Sequence, residues 1–178
     1  MAILGVDDFK SKLTGGGARA NLFKVEMGWP AAIAAGANES EIGGFLIKGA
    51  QLPGSTIAPI TVPFRGRQLQ IAGDRTFEPW TVTVMNDTNF VLRNAFENWM
   101  NVINNHNANT GATDPSEYFA DASVYQLDKD GSELKGYTFR GVWPTNVSNI
   151  EVSFDTENTI EEFTVELQVQ YWESNTTT

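Results

Sequence analysis

The chain has 178 residues and a mass of 19.6 kDa, a size that fits one domain with a buried core. Its formal net charge of −10 argues against a protein that grips nucleic acid directly, because that function needs clustered basic groups. The sequence has no cysteine, which excludes disulfides, thiolate metal sites and cysteine nucleophiles.

The N-terminal segment predicts no signal peptide. "MAILGVDDFKSKL" begins with apolar residues but carries acids at Asp7 and Asp8, and it lacks a basic first region and a longer apolar one. No stretch of the sequence approaches the ~20 apolar residues that span a bilayer. We therefore expect a soluble protein without a membrane or lipid anchor that is made in a cytoplasm.

Charge is distributed unevenly along the chain. Residues 1–75 hold eight Lys/Arg against six Asp/Glu, a balance of +2. Residues 76–178 hold four against sixteen, a balance of −12. Two interpretations remain open at this point: an acidic surface that only keeps the protein soluble, or an acidic face that repels a polyanion.

The N-terminal half predicts short strands separated by loops. The strands "NLFKVEM" and "FLIKGAQL" flank residues 28–44, which are small, Gly-rich and without period, so we predict an extended loop there. Residues 52–74 form a second predicted extended loop. Pro59 and Pro63 within it cannot donate to a strand ladder, so this segment belongs at a sheet edge or in a projection.

A strand followed by a helix is predicted next. In "TFEPWTVTVM", Trp80, Val82 and Val84 alternate with polar residues and are expected to face the core. Residues 88–104 have the period of one amphipathic α-helix, with Asp87 or Thr88 as its N-cap. Its predicted apolar face is Leu92, Ala95, Phe96, Trp99 and Ile103.

The C-terminal half predicts a loop over residues 105–121 and then strands. "SVYQL" and "LKGYTF" flank the turn sequence "DKDGSE" and predict a hairpin. "NIEVSF" and "IEEFTVELQVQYW" alternate as strands with one apolar face each. The pattern as a whole predicts a single, mainly β domain over residues 1–178. It is an antiparallel β-sandwich or barrel with one flanking α-helix at about residues 88–104.

Candidate catalytic groups are few, and we predict no enzyme, metal site or cofactor. His106 is the only histidine and follows the predicted helix, where a solvated side chain is expected. Glu161 and Glu162 are sequence neighbours that a strand sends to opposite faces, so they make a poor acid–base pair. Asp128 and Asp130 lie in a predicted turn, where Asp bonds its local backbone.

Positive charge is clustered in "VPFRGRQLQIAGDRTFEPW", which contains Arg65, Arg67 and Arg75 with Asp74 between them. Three interpretations are open: surface ion pairs within turns, an anion site, or docking onto an acidic partner surface. The partner in the last case includes a second copy of this acidic chain, because Arg suits bidentate pairing with carboxylates at interfaces.

The stretch "FRGRQLQIAGDRTFEPWTVTVMNDTNF", running into "LRNAFENWMNVIN", resembles the tail tube proteins of contractile-tailed, T-even-type bacteriophages. The resemblance is most specific over residues 64–104, and the chain length and the C-terminal "VQYW" strand fit it. It also implies a fold related to the tube protein of type VI secretion. We carry nothing from the resemblance onto residues 28–44 or 105–121.

The resemblance implies a structural virion protein that stacks hexameric rings into the inner tube of a contractile tail. The expected partners are the chain itself, the tail sheath protein, and the baseplate, tail terminator and tape measure proteins. Genomic DNA is expected to pass through the lumen without specific binding. The expected location is the phage tail, assembled in the host cytoplasm.

Three surfaces follow as expectations. The polar face of the last long strand, with Glu162, Glu166 and Gln168, is expected to line the lumen, where acidic groups repel DNA. The Leu52–Asp74 segment is expected to form the contact between stacked rings. The charged residues expected to make this contact are Arg65, Arg67, Asp74 and Arg75. On the helix, Arg93 and Glu97 are expected either to face the sheath or to form a local i,i+4 pair.

Two other classes of protein remain as alternatives. A tube protein from a non-phage contractile injection or secretion system predicts the same fold and ring. A monomeric β-sandwich binding module predicts an exposed aromatic platform, for which Trp29, Trp143 and Trp172 are the candidates.

Overall fold

The computed structural model describes residues 5–33 and 37–177, and within them the chain forms three α-helices and nine strands. The helices are α1 (Val6–Lys12), α2 (Ala37–Leu46) and α3 (Val91–Ile103). The strands are β1 (Phe23–Met27), β2 (Ile47–Ala50), β3 (Ser55–Phe64), β4 (Arg67–Phe77), β5 (Trp80–Met85), β6 (Ala120–Leu127), β7 (Glu133–Val147), β8 (Glu162–Gln168) and β9 (Tyr171–Ser174). Over these ranges no helix is long and apolar enough to cross a membrane.

Seven strands form one antiparallel sheet in the order β1-β6-β7-β8-β5-β2, with β9 also paired to β7. The long strand β7 joins two halves of this sheet: its first part pairs with β6 and β9, and its last part pairs with β8. Next to the junction of the two parts lies Gly141, whose φ of +61° is a left-handed value that glycine adopts without strain. The two halves pack face to face, and Trp80 stacks on Phe139 at 4.3 Å between ring centroids. Because β1 and β2 stay at the two ends of the order, the sandwich is not a closed barrel.

The core is built by the predicted alternation of the central strands. Val82 lies opposite Val165, and both are fully buried. The neighbouring pairs, Trp80 with Leu167 and Val84 with Phe163, are buried in the same way. Mainly β structure with antiparallel sheets is therefore confirmed, as is the inward face of β5.

Helix α3 confirms the amphipathic helix predicted over residues 88–104. Leu92, Ala95, Phe96 and Trp99 are buried against the sheet, while Ile103 is partly buried. The helix begins at Val91 and its N-cap is Phe90, so the prediction of Asp87 or Thr88 as N-cap is wrong. The Asp87 carboxylate still accepts a hydrogen bond from the backbone N–H of Val91 at 2.9 Å, which satisfies one donor at the helix start.

A second helix occupies part of a segment predicted to be a loop, so the expected loop over residues 28–44 is wrong in its last part. Helix α2 covers Ala37–Leu46, and the "FLIKGAQL" strand is therefore shorter than predicted and begins at Ile47. Gly43 and Gly44 explain the error. A Cβ on Gly44 would lie 3.5 Å from the Val25 carbonyl, and one on Gly43 would lie 3.9 Å from Leu92. Both are ordinary van der Waals distances, so the two glycines that indicated a loop lie on a helix that packs against β1 and α3.

The extended loop predicted over residues 52–74 is a two-stranded sheet, β3 with β4, which we call the 55–77 hairpin. Neither strand pairs with the main sheet, so Pro59 and Pro63 lie outside it, as a proline-containing segment requires. The loop predicted over residues 105–121 is mostly turns, with a short 3-10 segment at Pro115–Glu117 and the start of β6 at Ala120.

The strand predicted for "NIEVSF" is absent from the described residues, which form a loop at this point. Ile150 packs against the core, but Val152 is 80% exposed and Phe154 is completely exposed. The alternating pattern is present, but no strand of the described chain pairs with it. This loop, residues 148–161, is called the acidic loop below because it holds Glu151, Asp155, Glu157 and Glu161 and no basic residue.

Candidate assembly surfaces

The tip of the 55–77 hairpin is a two-residue turn formed by Arg65 and Gly66. Their φ values are +46° and +81°, which is the turn geometry that matches the twist of a hairpin. Gly66 adopts it without strain, and Arg65 is stabilised there by its guanidinium, 5.3 Å from the centre of the Phe64 ring. The turn therefore presents Arg65 at the far end of the hairpin.

One face of the hairpin is apolar and uncovered. Cross-strand pairing places Val62 opposite Leu69 and Ile60 opposite Ile71, on the same side. We call these four, together with Phe64, the apolar hairpin face. All five are between 39% and 66% exposed. The other side of the hairpin has polar residues beside its prolines, and there Thr61 donates a hydrogen bond to Gln70 at 2.9 Å.

The charged residues predicted to join rings all lie on this hairpin and are all solvent-exposed. Arg67 lies opposite Phe64 and thus at the edge of the apolar hairpin face, whereas Arg75 lies opposite Ile57 near the base. Asp74 occupies an irregularity in the pairing beside Arg75. Throughout the described ranges, none of the three arginines forms an ion pair with a carboxylate, so pairing within surface turns does not account for them.

The base of the hairpin is fixed to the sandwich by two indoles. Trp80 donates a hydrogen bond from Nε1 to the carbonyl of Gln51 at 2.8 Å. Trp172 donates from Nε1 to the carbonyl of Gly54 at 3.0 Å and meets Phe77 edge-on at 6.1 Å. The hairpin therefore leaves the domain from a braced base, and its outer part carries the uncovered apolar face.

The predicted lumen-facing residues share the outer side of β8. Glu162, Glu166 and Gln168 alternate with Phe163, Val165 and Leu167, whose side chains fill the core. Thr81 and Thr83 lie opposite Glu166 and Thr164 and extend this polar face onto β5. One contact has no signal in the sequence: Lys48 on β2 forms a 2.5 Å ion pair with Glu162. That pair offsets one of the two acidic charges.

Arg93 and Glu97 form the local i,i+4 ion pair, at 2.6 Å between Nε and Oε1. Arg93 is otherwise occupied inside the chain: it donates to the Ser148 carbonyl at 2.6 Å and lies 5.2 Å from the centre of the Phe163 ring. Its side chain is only 19% exposed, so the expectation of two exposed residues is wrong for Arg93. Of the two residues, Glu97 is the one exposed on the solvent side of α3.

The three tryptophans considered as a binding platform are packed against the core. Trp29 contacts Phe96 and Trp99, with ring centroids 5.0 and 5.6 Å apart. Trp143 and Trp172 are likewise partly buried, so they do not form an exposed aromatic surface.

Residues considered for chemistry have local structural partners. Asp130 accepts two hydrogen bonds from Ser132, side chain and backbone, which lower the pKa of the Asp130 carboxyl. Glu161 accepts from Asn86 at 3.0 Å, whereas Glu162 faces Lys48. Within residues 5–33 and 37–177, no group of three or more His, Asp or Glu side chains is arranged to hold a metal ion.

The β-sandwich carries a hairpin that is fixed at its base, has an uncovered apolar face and holds arginines without an ion pair. These features are typical of one class of protein, subunits that assemble through their surfaces. The family model described as "Phage tail tube protein" matches residues 18–175, nearly the whole chain. The chain belongs to the phage tail tube protein family.

The comparisons with individual proteins agree with this family. The chain is 36% identical to the tail tube protein gp19 of Enterobacteria phage T4 over 170 residues, which cover 94% of this chain and 99% of that one. Its fold is similar to a chain in the sheath-tube complex of an extracellular contractile injection system, PVC, in the extended state. That similarity has a TM-score of 0.67 at 11% identity and covers 92% and 95% of the two chains. A chain of the 6-fold symmetrised anti-feeding prophage baseplate gives a TM-score of 0.61 at 14% identity, over 88% and 94%.

Proposed function

We propose that this chain polymerises into stacked hexameric rings that form the inner tube of a contractile phage tail and conduct the genome during delivery. The observation that carries the proposal is the apolar hairpin face, because a monomeric soluble protein rarely leaves five large apolar side chains together in water. Family membership and 36% identity to a phage tail tube protein over 94% of the chain support it. The ring size of six comes from the resemblance and from the six-fold baseplate to which one similar chain belongs.

The proposed partners follow the assemblies of the similar chains. One belongs to a sheath-tube complex and another to a baseplate, so we propose a sheath around this tube and a baseplate at its end. For the sheath, the solvent side of α3 with Glu97 is the proposed contact. A tail terminator, a tape measure protein and the passing DNA complete the proposed set. The location that follows is the phage particle, after assembly in the host cytoplasm.

The wall of the proposed lumen is the outer face of β8, with Glu162, Glu166 and Gln168. Two features support this placement. The face is polar along β8 and continues onto β5 with Thr81 and Thr83, which suits a water-filled channel. It also carries acidic side chains and a single lysine, so its net charge is negative, which keeps a polyanion from adhering.

Negative-stain electron microscopy and sedimentation of the purified chain test the proposal. We expect rings and hollow tubes whose amount rises with protein concentration. A protein that stays monomeric at high concentration would contradict the proposal and favour the binding module. Packaged DNA in particles that carry the tube would distinguish the phage tail from a non-phage injection system, which forms the same tube around another cargo.

A further inference from the structure

The 55–77 hairpin and the acidic loop leave the sandwich at opposite ends of the same two strands. Strand β5 runs from Trp80, paired with Leu167, to Met85, paired with Glu162. The hairpin enters β5 at the Trp80 end, and the acidic loop enters β8 at the Glu162 end. Six residues of strand separate the two ends by about 17 Å. The two ends of the domain therefore differ: one carries a basic element and the other an acidic element.

The two elements are complementary in charge. The hairpin holds Arg65, Arg67 and Arg75 against one acid, Asp74, a balance of +2. The acidic loop has four carboxylates and no base. Glu161 is bonded to Asn86, while Glu151, Asp155 and Glu157 form no ion pair within the described residues. The hairpin therefore presents unpaired positive charge, and the acidic loop presents unpaired negative charge.

The two elements are also complementary in apolar surface. The acidic loop exposes Val152, Phe154 and Ile160 and, with its neighbours, surrounds a cleft of about 640 Å³. The hairpin exposes the five side chains of the apolar hairpin face close to Arg65 and Arg67. Burial of a Phe or Ile side chain stabilises a contact more than an exposed ion pair does. Apolar contact therefore supplies most of the affinity, and the charges set the orientation.

We propose that the hairpin of one subunit docks on the acidic loop of a second copy of the chain, head to tail. Because the donor and acceptor surfaces are different parts of one molecule at opposite ends, the contact is heterologous and repeats without closing. Such a contact extends a stack indefinitely, as a tube requires. The proposal rests on the proposed tube and adds to it the surface that receives the hairpin.

A charge exchange tests this contact. The first variant reverses the hairpin, R65E/R67E, and the second reverses the loop, D155K/E157K. All four side chains are exposed, so circular dichroism and thermal melting of each variant are expected to match the wild type. The control E41K/E133K changes net charge as much as the loop variant does, at exposed positions on α2 and β7.

We expect each variant alone to lose sedimenting polymer while the control keeps it. An equimolar mixture of the two variants is expected to polymerise, since each acidic hairpin then meets a basic loop and each basic hairpin an acidic loop. The chain with all four changes is expected to polymerise by itself. If the loop variant assembles like the wild type, or if neither the mixture nor the four-change chain recovers polymer, the hairpin–loop contact is wrong while the tube stands. If the wild type forms no polymer, the tube and the contact fail together.

Cross-linking gives an independent measurement, because the natural chain has no cysteine. Under oxidation, the variant R65C/D155C is expected to form a ladder of disulfide-linked oligomers, and R65C or D155C alone is expected to stay single. Dimers of R65C alone would show that hairpins meet each other, which contradicts the proposal.

Discussion

Val62 on β3 lies directly opposite Leu69 on β4, and the two side chains, 39% and 58% exposed, are covered by no other strand of the described chain. A cross-strand apolar pair normally stabilises a sheet by packing on a core. Here it lies on the outer part of a hairpin that pairs only with itself. The pair therefore contributes little to the folded monomer and has its largest effect where another surface covers it.

The first prediction concerns this pair. V62S/L69S is expected to leave the free energy of unfolding of the monomer within about 0.5 kcal/mol of the wild type, because both sites are solvent-facing. The concentration needed for polymerisation is expected to rise at least about tenfold, since loss of about 1.4 kcal/mol per contact suffices for that. Sedimentation across a dilution series measures it.

The opposite side of the same hairpin provides the control. T61A/Q70A removes the hydrogen-bonded pair from the polar face and keeps the apolar one. It is expected to polymerise at nearly the wild-type concentration. Equal effects of the two double variants would show that the hairpin acts only by its shape.

The second prediction concerns the hairpin arginines. R65A/R67A is expected to fold normally and to give shorter tubes by electron microscopy. The wild type is expected to need more protein for assembly as salt rises, because exposed charges are screened, and this dependence should flatten in the variant. R19A, which removes an exposed arginine far from the hairpin in sequence, is the control. Tubes of normal length from R65A/R67A would count against an interface role for these residues.

Much of the sandwich was predictable because its signals are local. Alternation in "TFEPWTVTVM" and the 3.6-residue period in residues 88–104 each correspond to one buried face, and both appear in the structure as predicted. A strand or helix that buries one side against its own chain leaves that pattern in the sequence.

The wrong secondary-structure predictions fall where one sequence pattern is compatible with two different structures. "NIEVSF" alternates like a core strand, yet Phe154 is completely exposed, which is what a surface that contacts another molecule also requires. Gly43 and Gly44 indicated a loop, although both lie within α2. The lysine that pairs with Glu162 lies 114 positions away in sequence, and no spacing rule connects the two.

The third prediction concerns charge in the proposed lumen. E162K/E166K is expected to form tubes, because both side chains point away from the core, and to slow release of DNA from particles because a basic wall attracts phosphate. E162Q/E166Q is expected to lie between this variant and the wild type. A DNA-binding dye that reports release over time measures the rate.

The control uses the ion pair between Lys48 and Glu162. K48E/E162K exchanges the two members and keeps both the pair and the net charge. Its release rate is expected to match the wild type. If E162K/E166K also releases DNA at the wild-type rate, then these two residues do not line the path of the genome.

The fourth prediction tests the bend in β7. Gly141 has φ of +61°, and a Cβ there would lie 2.7 Å from the Cγ of Gln170. G141A is expected to destabilise the monomer by about 2–5 kcal/mol, the sum of left-handed strain and overpacking. Gly131 has φ of +84°, and a Cβ there would meet no atom within 4 Å, so G131A should show the strain alone, about 1–2 kcal/mol. Urea denaturation of dilute protein measures both, and equal losses would refute the steric part.

The fifth prediction separates the two roles considered for Arg93 and Glu97. Arg93 donates to the partly buried Ser148 carbonyl and covers the Phe163 ring, so R93A leaves an acceptor unpaired and removes packing. We expect a loss of about 1–3 kcal/mol in thermal or urea unfolding. Glu97 contributes only an exposed ion pair, so E97A is expected to cost less than about 0.5 kcal/mol.

Sheath binding gives the second measurement for the same two variants. If Glu97 contacts the sheath, E97A tubes are expected to bind less sheath protein in co-sedimentation, although their subunits are as stable as the wild type. E97Q, which keeps the shape without the charge, is expected to show the same loss if the contact is ionic. Full sheath binding by both variants, together with a stability loss confined to R93A, would limit the pair to the local role that the i,i+4 spacing predicts.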